Sequence, residues 1–491
     1  MIILYILIGI YTLGMLFIFI YSVAQGHLLL RFLRSRKSLE FVPHAVPAQW
    51  PKVTVQLPLY NELYVVNRLI EAVSKINYPK DLLEIQLLDD STDSTSDLIK
   101  EKLTNYPDLN FKYIHRIDRK GFKAGALKEG LITASGEFIA IFDADFVPDP
   151  DFLLKTIPYF ASKEVGMVQS RWTHLNKNYS LLTRLQAFAL DAHFLIEQIG
   201  RNSQHAFINF NGTAGIWRKS CILDAGNWHD DTLTEDLDLS YRAQRKGWKF
   251  IYRPEIESPA ELPPIMSAVK SQQFRWTKGG AECAVKHAKG VLIGRFPLAI
   301  KFHAMAHLFN STIFIAVLLV SISSIGVWWA GVQGLVSDVV LKFAGIFMLG
   351  FVIIAGVYLV AYFYEKRSFW KSLIQSVYIL PLFLSVSMGL ALHNAQAVWE
   401  GLSGKKSPFI RTPKFNLEGK SGLESNRYLA TQIPATTWLE GLMMLVFITM
   451  VGLHLIWHTY QLLPFHLMLA IGYGLVFFSS FKAYNLANKN T

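Results

Sequence analysis

Cysteine is scarce in this sequence, which has only Cys221 and Cys283 among its 491 residues. Two thiols can form at most one bridge, so a small disulfide scaffold is excluded and nothing indicates an oxidising compartment. The sequence also lacks a G-x-x-x-x-G-K-[ST] loop and a G-x-G-x-x-G fingerprint, the two common glycine-rich nucleotide motifs. Internal repeats and low-complexity stretches are absent as well.

Charged residues make up only 17% of the chain, against 52% hydrophobic residues, and the mean hydropathy is +0.27. This balance excludes a disordered chain and a collagen-like repeat, and the length allows two to three domains. Basic residues beside membrane segments, which attract anionic lipids, explain the net charge of +11. A lipid bilayer is therefore an expected partner, whereas nucleic acid is not, because no basic stripe with a recognisable module occurs.

The N-terminal residues 1–24 contain no charged side chain and are long enough to cross ~30 Å of hydrocarbon. A cleaved signal peptide is the alternative, but no basic side chain precedes the run, which is longer than the apolar core of such a peptide. Arg31, Arg34, Arg36 and Lys37 follow it instead, which places the next segment in the cytoplasm by the positive-inside rule. We predict an uncleaved transmembrane anchor over 1–30.

The C-terminal part, 291–491, is predicted to consist of transmembrane and interface helices. Its mostly apolar segments of about spanning length are 307–330, 341–363, 373–397, 436–457 and 462–482. If all of them cross, the basic loop 399–435 lies outside, against the positive-inside rule. Segment 373–397 contains Pro381 and ends in polar residues, so we predict that it is interfacial or re-entrant and that the chain crosses five times.

Residues 40–290 have the composition of a mixed α/β domain. Helical patterns near 62–74 and 94–103 alternate with β-rich runs at 53–57, 84–88, 112–115 and 138–142. Strands separated by helices indicate βαβ units and a mostly parallel sheet. Because ligands of such sheets bind beyond the carboxyl ends of the strands, the acidic residues that follow 84–88 and 138–142 are candidate site residues.

Asp143 and Asp145 follow the predicted strand 138–142. In an extended chain, residues i and i+2 point to the same side, so both carboxylates can converge on one hard cation such as Mg²⁺ or Mn²⁺. Without a cation, the two charges would repel each other in a partly buried site. A helix-capping loop cluster is the alternative, because Pro148-Asp149-Pro150-Asp151 follows.

Asp89 and Asp90 follow the strand 84–88. They either hydrogen-bond a nucleotide base or ribose, or belong to the cap of the next helix. The segment 120–126 joins lysines to glycines, a combination that suits phosphate binding because lysine is a mobile point charge and glycine permits close backbone approach. A solvated surface turn explains that segment equally well.

Thr234-Glu235-Asp236 precedes a helical pattern, where carboxylates either act as a general base or simply favour the positive end of the helix dipole. Gln272, Arg275 and Trp276 lie in an amphipathic stretch. Arginine offers a planar donor fork for phosphate, and tryptophan a flat face for a sugar ring. Anchoring to the membrane interface is the alternative for these residues.

Taken in order, these motifs resemble those of the membrane-bound family 2 glycosyltransferases, which include cellulose synthase and the cellulose-synthase-like mannan and glucan synthases. The motifs are LPLYNE (57–62), LLDDSTDST (87–95), KAGALKEG (123–130), FDADF (142–146), FNGTAG (210–215), TEDLDL (234–239) and QQFRW (272–276). FNGTAG is similar to the mannan/glucan-synthase-like version. FIRTPK (409–414) is similar to the F-x-V-T-x-K gating loop of processive synthases, with Arg411 in place of the valine.

The resemblance implies a cytoplasmic α/β domain of GT-A type with a Rossmann-like, mostly parallel sheet over 40–290, joined to an α-helical transmembrane bundle with a cytoplasmic gating-type loop at about 399–435. It implies Mg²⁺ or Mn²⁺ at Asp143 and Asp145, and Asp236 as the base that deprotonates the acceptor. The implied donor-binding residues are Asn61, Glu62, Asp89, Asp90, Lys123 and Asp143. Acceptor and diphosphate would contact Glu235, Gln272, Arg275 and Trp276, and the gating loop would use Phe409, Thr412 and Lys414.

The implied reaction is inverting transfer of a hexose from a nucleotide-diphosphate sugar, UDP-glucose or GDP-mannose, to a growing β-glycan. Processive synthesis coupled to export, with room for an accessory export subunit, follows from the same resemblance. A non-processive synthase that moves one sugar onto a membrane lipid would use the same site. A channel or transporter with an ancillary nucleotide-binding domain is a third hypothesis.

Overall fold

The computed structural model describes residues 1–35, 47–335, 338–366, 369–417 and 432–488. Arg36, Lys37 and part of the predicted gating-type loop, 418–431, lie outside the described residues. Within the described ranges, a long helix α1 (Ile2–Ser35) precedes a sheet domain, and a set of long helices follows it.

The sheet has seven strands in the order β3-β2-β1-β4-β6-β5-β7. They are β1 (Val53–Leu59), β2 (Leu83–Asp89), β3 (Phe111–His115), β4 (Phe138–Ile141), β5 (Val165–His174), β6 (Gly215–Arg218) and β7 (Lys249–Ala260). Strands β1 to β4 are parallel to one another, which confirms the predicted mostly parallel arrangement. Strand β6 runs antiparallel between β4 and β5, and β7 pairs in parallel with β5.

Helices cover both faces of this sheet. Val53, Val55 and Leu57 of β1 pack with α2 on one face, and Ile139 and Ile141 of β4 pack with α4 on the other. The helices of the domain are α2 (Val66–Ser74), α3 (Thr95–Leu103), α4 (Phe122–Thr133), α5 (Phe152–Thr156), α6 (Leu181–Ala192), α7 (Ile199–Asn202), α8 (Lys219–Asp224), α9 (Glu235–Arg245) and α10 (Met266–Ile293).

Helix α10 joins the sheet domain to the C-terminal helices through two buried ion pairs. Lys270 Nζ lies 2.6 Å from Glu440 Oε2, and Lys278 Nζ lies 3.2 Å from Glu400 Oε2. Losing one partner of a buried pair costs about 3–5 kcal/mol, so these pairs hold α10 in place. The C-terminal helices are α11 (Leu298–Leu308), α12 (Ile313–Val332), α13 (Asp338–Lys366), α14 (Phe369–Gly389), α15 (Ala391–Leu402), α16 (Ala435–Ile456) and α17 (Leu463–Asn488).

The candidate membrane spans number six among the described residues, as expected for a multi-pass membrane protein. These helices are long and apolar enough to cross: Ile2–Ser35, Asn310–Val332, Met348–Glu365, Phe369–Gly389, Ala435–Ile456 and Leu463–Asn485. The segment 373–397, predicted to be interfacial, divides into α14, which is of spanning length, and the shorter α15. Pro381 lies inside α14 without ending it.

Contacts beyond both ends of α14 bear on whether it crosses. Before it, Glu365 Oε1 lies 3.1 Å from Lys177 Nζ of the sheet domain. After it, His393 of α15 bonds the carbonyl oxygen of Lys270 at 3.0 Å, and residues 409–416 contact the sheet domain. An even number of crossings must therefore separate the sheet domain from 409–416, although α12, α13 and α14 are three candidates. We propose that α14 does not cross and that five helices do.

Candidate active site

A cavity opens at the carboxyl ends of the parallel strands, between the sheet, α9 and α10. Residues from all seven motifs contribute to its lining, together with a loop of residues 403–417, here called the cavity loop. Every predicted site residue except Asn61 and Asp89 lines this cavity: Glu62, Asp90, Lys123, Asp143, Asp145, Glu235, Asp236, Gln272, Arg275, Trp276, Phe409, Thr412 and Lys414.

Asp89 and Asn61 lie outside the cavity lining and hold the strand ends. Asp89 is fully buried, and it accepts hydrogen bonds from Ser96 Oγ at 2.5 Å and Tyr113 Oη at 2.7 Å. Asn61 has a φ of 54°, and its side-chain oxygen accepts the N–H of Thr92 at 2.8 Å. Asn61 thus ties the loop after β1 to the loop after β2, and Asp89 ties the end of β2 to α3 and β3. Their donor contacts stay predictions.

Asp90 lines the cavity with its carboxylate held by Arg116. The distances are 2.7 Å from Nε to Oδ1 and 2.6 Å from Nη2 to Oδ2, a bidentate pair that fixes the orientation of both groups. Arg116 also donates to the carbonyl oxygens of Lys120 and Phe122. A carboxylate has about four acceptor positions, so Asp90 retains capacity for a ligand hydroxyl.

Asp143 and Asp145 follow β4 in a turn, since the N–H of Phe146 donates to the carbonyl oxygen of Asp143 at 3.1 Å. The extended geometry assumed from the sequence is therefore wrong, although both carboxylates line the cavity. Lys123 Nζ lies 2.5 Å from Asp143 Oδ1, and Lys414 Nζ lies 2.8 Å from Asp145 Oδ1. Both carboxylates thus already attract cationic groups.

The donor set of Asp143 and Asp145 fits a divalent cation. Carboxylate oxygens are the hard ligands that Mg²⁺ combines with substrate phosphates. The Asp143 side chain is 33% exposed and the Asp145 side chain only 3%, so one ligand faces the open cavity and the other lies deeper. These two residues therefore remain the candidate metal ligands.

A second group of metal-ligand types lies elsewhere in the described part of the chain. His229, Asp231 and Asp238 bring ligand atoms within 4.8 Å of one another. However, Lys286 Nζ lies 2.7 Å from both Asp231 and Asp238, which places an ammonium where a cation would bind. This cluster is therefore explained as an ion-pair network between α9 and α10.

Helix α9 places Glu235 and Asp236 in its first turn, where the helix dipole favours negative charge. Burial raises the pKa of Asp236 to about 7, and the neighbouring Glu235 carboxylate adds to the rise. Burial also raises the pKa of Glu235, against the effect of Lys123, whose Nζ is 4.0 Å away. A carboxyl with a pKa near 7 is suited to accept a proton near neutral pH.

Gly279 of α10 allows the start of α9 to approach closely. A Cβ at this position would lie 2.5 Å from Cγ2 and 2.8 Å from the backbone nitrogen of Thr234, which directly precedes Glu235. At the adjacent Gly280, the nearest atom to a Cβ would be Ser311 Oγ at 3.6 Å, an ordinary contact. Of these two glycines, only Gly279 is required by the packing beside Asp236.

Helix α10 and the cavity loop meet at the mouth of the cavity. Arg275 Nη2 donates to Thr412 Oγ1 at 2.6 Å, and the Arg275 Cζ lies 4.6 Å from the centroid of the Phe409 ring. Further along the loop, Glu261 of the sheet domain accepts the N–H groups of Phe415 and Asn416. The cavity loop is therefore bound to the domain on both sides of Thr412.

Arg411, which replaces the valine of the gating motif, binds the cavity loop to the end of β1. Its Nη1 lies 3.2 Å from Glu62 Oε2, and its Nη2 donates to the carbonyl oxygen of Asn61. Burial raises the pKa of Glu62 to about 7, with Arg411 acting against this rise. Sequence reasoning missed this pair because the two residues are 349 positions apart.

Sequence reasoning also missed Tyr60, Arg119 and Glu261, all of which line the cavity. Tyr60 lies inside the LPLYNE motif, which was the available signal. Arg119 directly precedes the lysine–glycine segment 120–126, whereas Glu261 follows β7 in a region without a recognisable motif.

The domain that carries this cavity is similar to known proteins. Residues 51–279 match the model of the glycosyltransferase like family 2. The chain is 45% identical over 269 residues to probable glucomannan 4-beta-mannosyltransferase 7 of Oryza sativa subsp. japonica, covering 53% of this chain and 46% of that protein. It is 39% identical over 303 residues to glucomannan 4-beta-mannosyltransferase 1 of Cyamopsis tetragonoloba, covering 59% and 58%. The chain spans about half the length of the curated relatives it matches.

A solved structure confirms the fold. The mannosyltransferase PcManGT from Pyrobaculum calidifontis, in complex with GDP-Man and Mn²⁺, superposes with a TM-score of 0.53 at 19% identity, covering 79% of this chain and all of that one. The predicted resemblance to family 2 and the predicted GT-A-type fold are thus confirmed.

Proposed function

We propose that this chain, whose residues 51–279 form a domain of glycosyltransferase family 2, transfers mannose from GDP-mannose to the end of a growing β-glycan. The observation that supports this proposal is one cavity lined by residues of all seven motifs, with a candidate base, two candidate metal ligands and five lysine or arginine side chains in it. The names of the curated relatives favour mannose, and therefore GDP-mannose among the two donors predicted.

The donor is held at the sheet edge. Asp90 and Glu62 lie at the ends of β2 and β1, and Lys123 and Arg275 supply positive charge beside Asp143. Asp143 and Asp145 would hold Mg²⁺ or Mn²⁺, which neutralises negative charge on the diphosphate when bound. Lys123 and Arg275 stabilise the charge that grows on the leaving diphosphate, because they are preorganised in a partly buried site.

Asp236 accepts the proton of the acceptor hydroxyl as that oxygen attacks the sugar. The neutral hydroxyl is a weak nucleophile, so a carboxylate within hydrogen-bond reach lowers the barrier. A single in-line displacement inverts an α-linked donor to a β-linked product and needs no covalent intermediate. Trp276 offers a flat face on which the terminal sugar of the acceptor stacks, and Gln272 offers neutral hydrogen bonds.

The membrane arrangement is part of the same proposal. We propose an N-terminal anchor over 1–30, a cytoplasmic catalytic domain over 40–290 and C-terminal membrane helices over 291–491. Arg31 and Arg34 follow the apolar part of α1, which favours a cytoplasmic catalytic domain by the positive-inside rule. A cavity loop that covers the site, beside helices of spanning length, suits processive synthesis with export of the product.

A donor screen tests this function. Membranes containing the full chain are incubated with Mn²⁺ and labelled GDP-mannose or UDP-glucose, and the products are separated by solubility. We expect an ethanol-insoluble, mannanase-sensitive product from GDP-mannose, which membranes with Asp236→Asn make about 10²-fold or more slowly. An organic-soluble product would instead identify a glycolipid synthase, and a polymer made only from UDP-glucose would overturn the proposed donor.

Gly279→Ala should reduce sugar transfer about tenfold or more, because the new Cβ displaces Thr234 and with it the start of α9. Small misplacements of a catalytic group reduce rates strongly. The matched variant is Gly280→Ala, which meets only an ordinary contact at 3.6 Å and should keep the rate of the unaltered chain. Initial rates at saturating donor measure both. Equal rates in the two variants would show that the position of α9 does not depend on this contact.

A further inference from the structure

The wall of the cavity at the ends of β1, β2 and β3 contains a guanidinium that the proposed mechanism does not use. Arg119 lies between β3 and α4 and lines the cavity together with Tyr60 and Asp90. The Arg119 Cζ is 3.3 Å from the centroid of the Tyr60 ring, which is contact distance for a stacked cation–π pair. Phe122 and Phe409 lie at 5.0 Å and 5.9 Å from the same atom.

Arg119 differs from the other arginine of the same loop in having no carboxylate partner. Arg116 donates twice to Asp90 and once to each of two backbone carbonyls. In the part of the chain that the structure describes, by contrast, no carboxylate lies within ion-pair distance of Arg119, and its buried Nε has no hydrogen-bond partner. Burial lowers the pKa of Arg119. The aromatic rings of Tyr60, Phe122 and Phe409 therefore hold the Arg119 guanidinium in place, while no protein acceptor bonds its N–H groups in the described part of the chain.

The position of Arg119 separates it from the groups assigned to the diphosphate. Lys123 contacts Asp143 after β4, and Arg275 comes from α10, where its Cζ lies 4.6 Å from the centroid of the Phe409 ring that Arg119 approaches to 5.9 Å. Arg119 instead lies beside the ends of β1 and β2, where Tyr60 and Asp90 are found. Asp143 and Arg119 line the same cavity, so a nucleotide whose diphosphate lies at Asp143 can place its base beside Arg119.

We propose that Arg119 selects a guanine base in the donor by donating two hydrogen bonds to its O6 and N7 atoms. The proposal rests on the proposed function only in that a nucleotide-diphosphate sugar occupies this cavity. An arginine fork matches adjacent acceptors, which guanine presents at O6 and N7, whereas adenine presents one acceptor and one donor on that edge. Uracil has no N7. Aromatic stacking, in contrast, tolerates every base, so stacking on a nearby ring would not by itself select guanine.

Calorimetric titration of the full detergent-solubilised chain with GDP, IDP, ADP and UDP tests this assignment. Hypoxanthine keeps O6 and N7 but lacks the 2-amino group, so IDP should bind within about threefold of GDP, while ADP and UDP bind about tenfold or more weakly. Arg119→Lys keeps the positive charge but loses the planar fork. It should remove the preference for GDP over UDP and leave the affinity for UDP within about threefold.

The controls separate the inference from the proposed function. Arg295→Ala removes an exposed arginine outside the cavity and should keep the full preference, and thermal unfolding checks that Arg119→Lys is folded. A GDP preference that survives in Arg119→Lys overturns the role of Arg119 and leaves the GDP-mannose donor in place. Equal weakening of GDP and UDP also overturns it, because it would indicate a phosphate contact. IDP binding as weakly as ADP would overturn the O6/N7 contact, and a preference for UDP in the unaltered chain would overturn both proposals.

Discussion

Asp236→Asn should lower sugar transfer by about 10²–10⁴-fold while GDP-mannose still binds. Asparagine has nearly the shape of aspartate but cannot accept the proton of the acceptor hydroxyl. The Asp236 carboxylate lies in the first turn of α9, apart from the carboxylates assigned to the metal, so its loss leaves the donor contacts intact. Initial rates with labelled GDP-mannose measure transfer, and calorimetric titration with GDP measures donor binding.

The matched control is Asp108→Asn, which makes the same chemical change at an exposed turn outside the cavity. It should transfer sugar at the rate of the unaltered chain. If Asp236→Asn retained more than about a tenth of the normal rate, the side chain would not be the general base. If donor binding were lost together with transfer, Asp236 would instead be a binding residue.

The pH dependence of the rate gives a second test of the same assignment. Only the deprotonated carboxylate can accept a proton, and burial together with Glu235 raises the pKa of Asp236 to about 7. The value of kcat/KM should therefore fall about tenfold for each pH unit below 7 and reach a plateau above it. Glu62 also has a pKa of about 7, so the profile must be measured in Glu62→Gln as well. A profile that loses its acid limb in Glu62→Gln would assign the titration to Glu62.

The strand ends were the predictable part of this site. Because apolar β-rich runs alternate with helical patterns, the sequence predicts parallel strands, and a parallel sheet brings the residues after β1, β2 and β4 to one edge. Glu62, Asp90, Asp143 and Asp145 meet there for that reason. Predicting that these four residues lie close together requires only the order of the strands in the sheet and no information on long-range contacts.

The choice between adjacent carboxylates was not predictable. Asp89 and Asp90 are neighbours in sequence, and side chains alternate between the faces of a strand. Which of them faces the cavity depends on what covers each face. Ser96 of α3 and Tyr113 of β3 take the carboxylate of Asp89, so Asp90 is the one that remains at the cavity.

The second half of the sheet and the cavity loop depend on long-range pairing. Strand β7 contains Pro254 and Pro259, which a central strand would exclude, but β7 is the edge strand of the sheet. In the same way, the Arg411–Glu62 pair joins residues that no local pattern connects. Neither the pairing of β7 nor the Arg411–Glu62 contact can be predicted from hydrophobic periodicity or from the residues that follow each strand. Both result from the packing of segments that are distant in sequence.

Removing divalent cations should abolish sugar transfer by the full chain, and adding Mn²⁺ or Mg²⁺ should restore it. The donor diphosphate leaves with several negative charges, and metal neutralisation of such a leaving group contributes several kcal/mol, which corresponds to about 10²–10⁴-fold in rate. Lys123 and Arg275 supply only part of this charge, because Lys123 is already paired with Asp143 at 2.5 Å. Rates after dialysis against EDTA, followed by titration with each cation, measure the effect.

Asp145→Asn should raise the Mn²⁺ concentration needed for half-maximal rate and weaken Mn²⁺ binding measured by electron paramagnetic resonance in the presence of GDP. The matched control is Asp149→Asn, four residues further along the chain, where the carboxylate pairs with Lys155 and lies outside the cavity lining. That variant should show the Mn²⁺ dependence of the unaltered chain.

A second variant tests the same site from the other side. Lys414 Nζ lies 2.8 Å from Asp145 Oδ1, so an ion that binds Asp145 must displace this ammonium. If Asp145 is a ligand, Lys414→Met should therefore lower the Mn²⁺ concentration needed for half-maximal rate. An unchanged Mn²⁺ requirement in both Asp145→Asn and Lys414→Met would place the ion elsewhere, and full activity after chelation would remove the metal from the proposal.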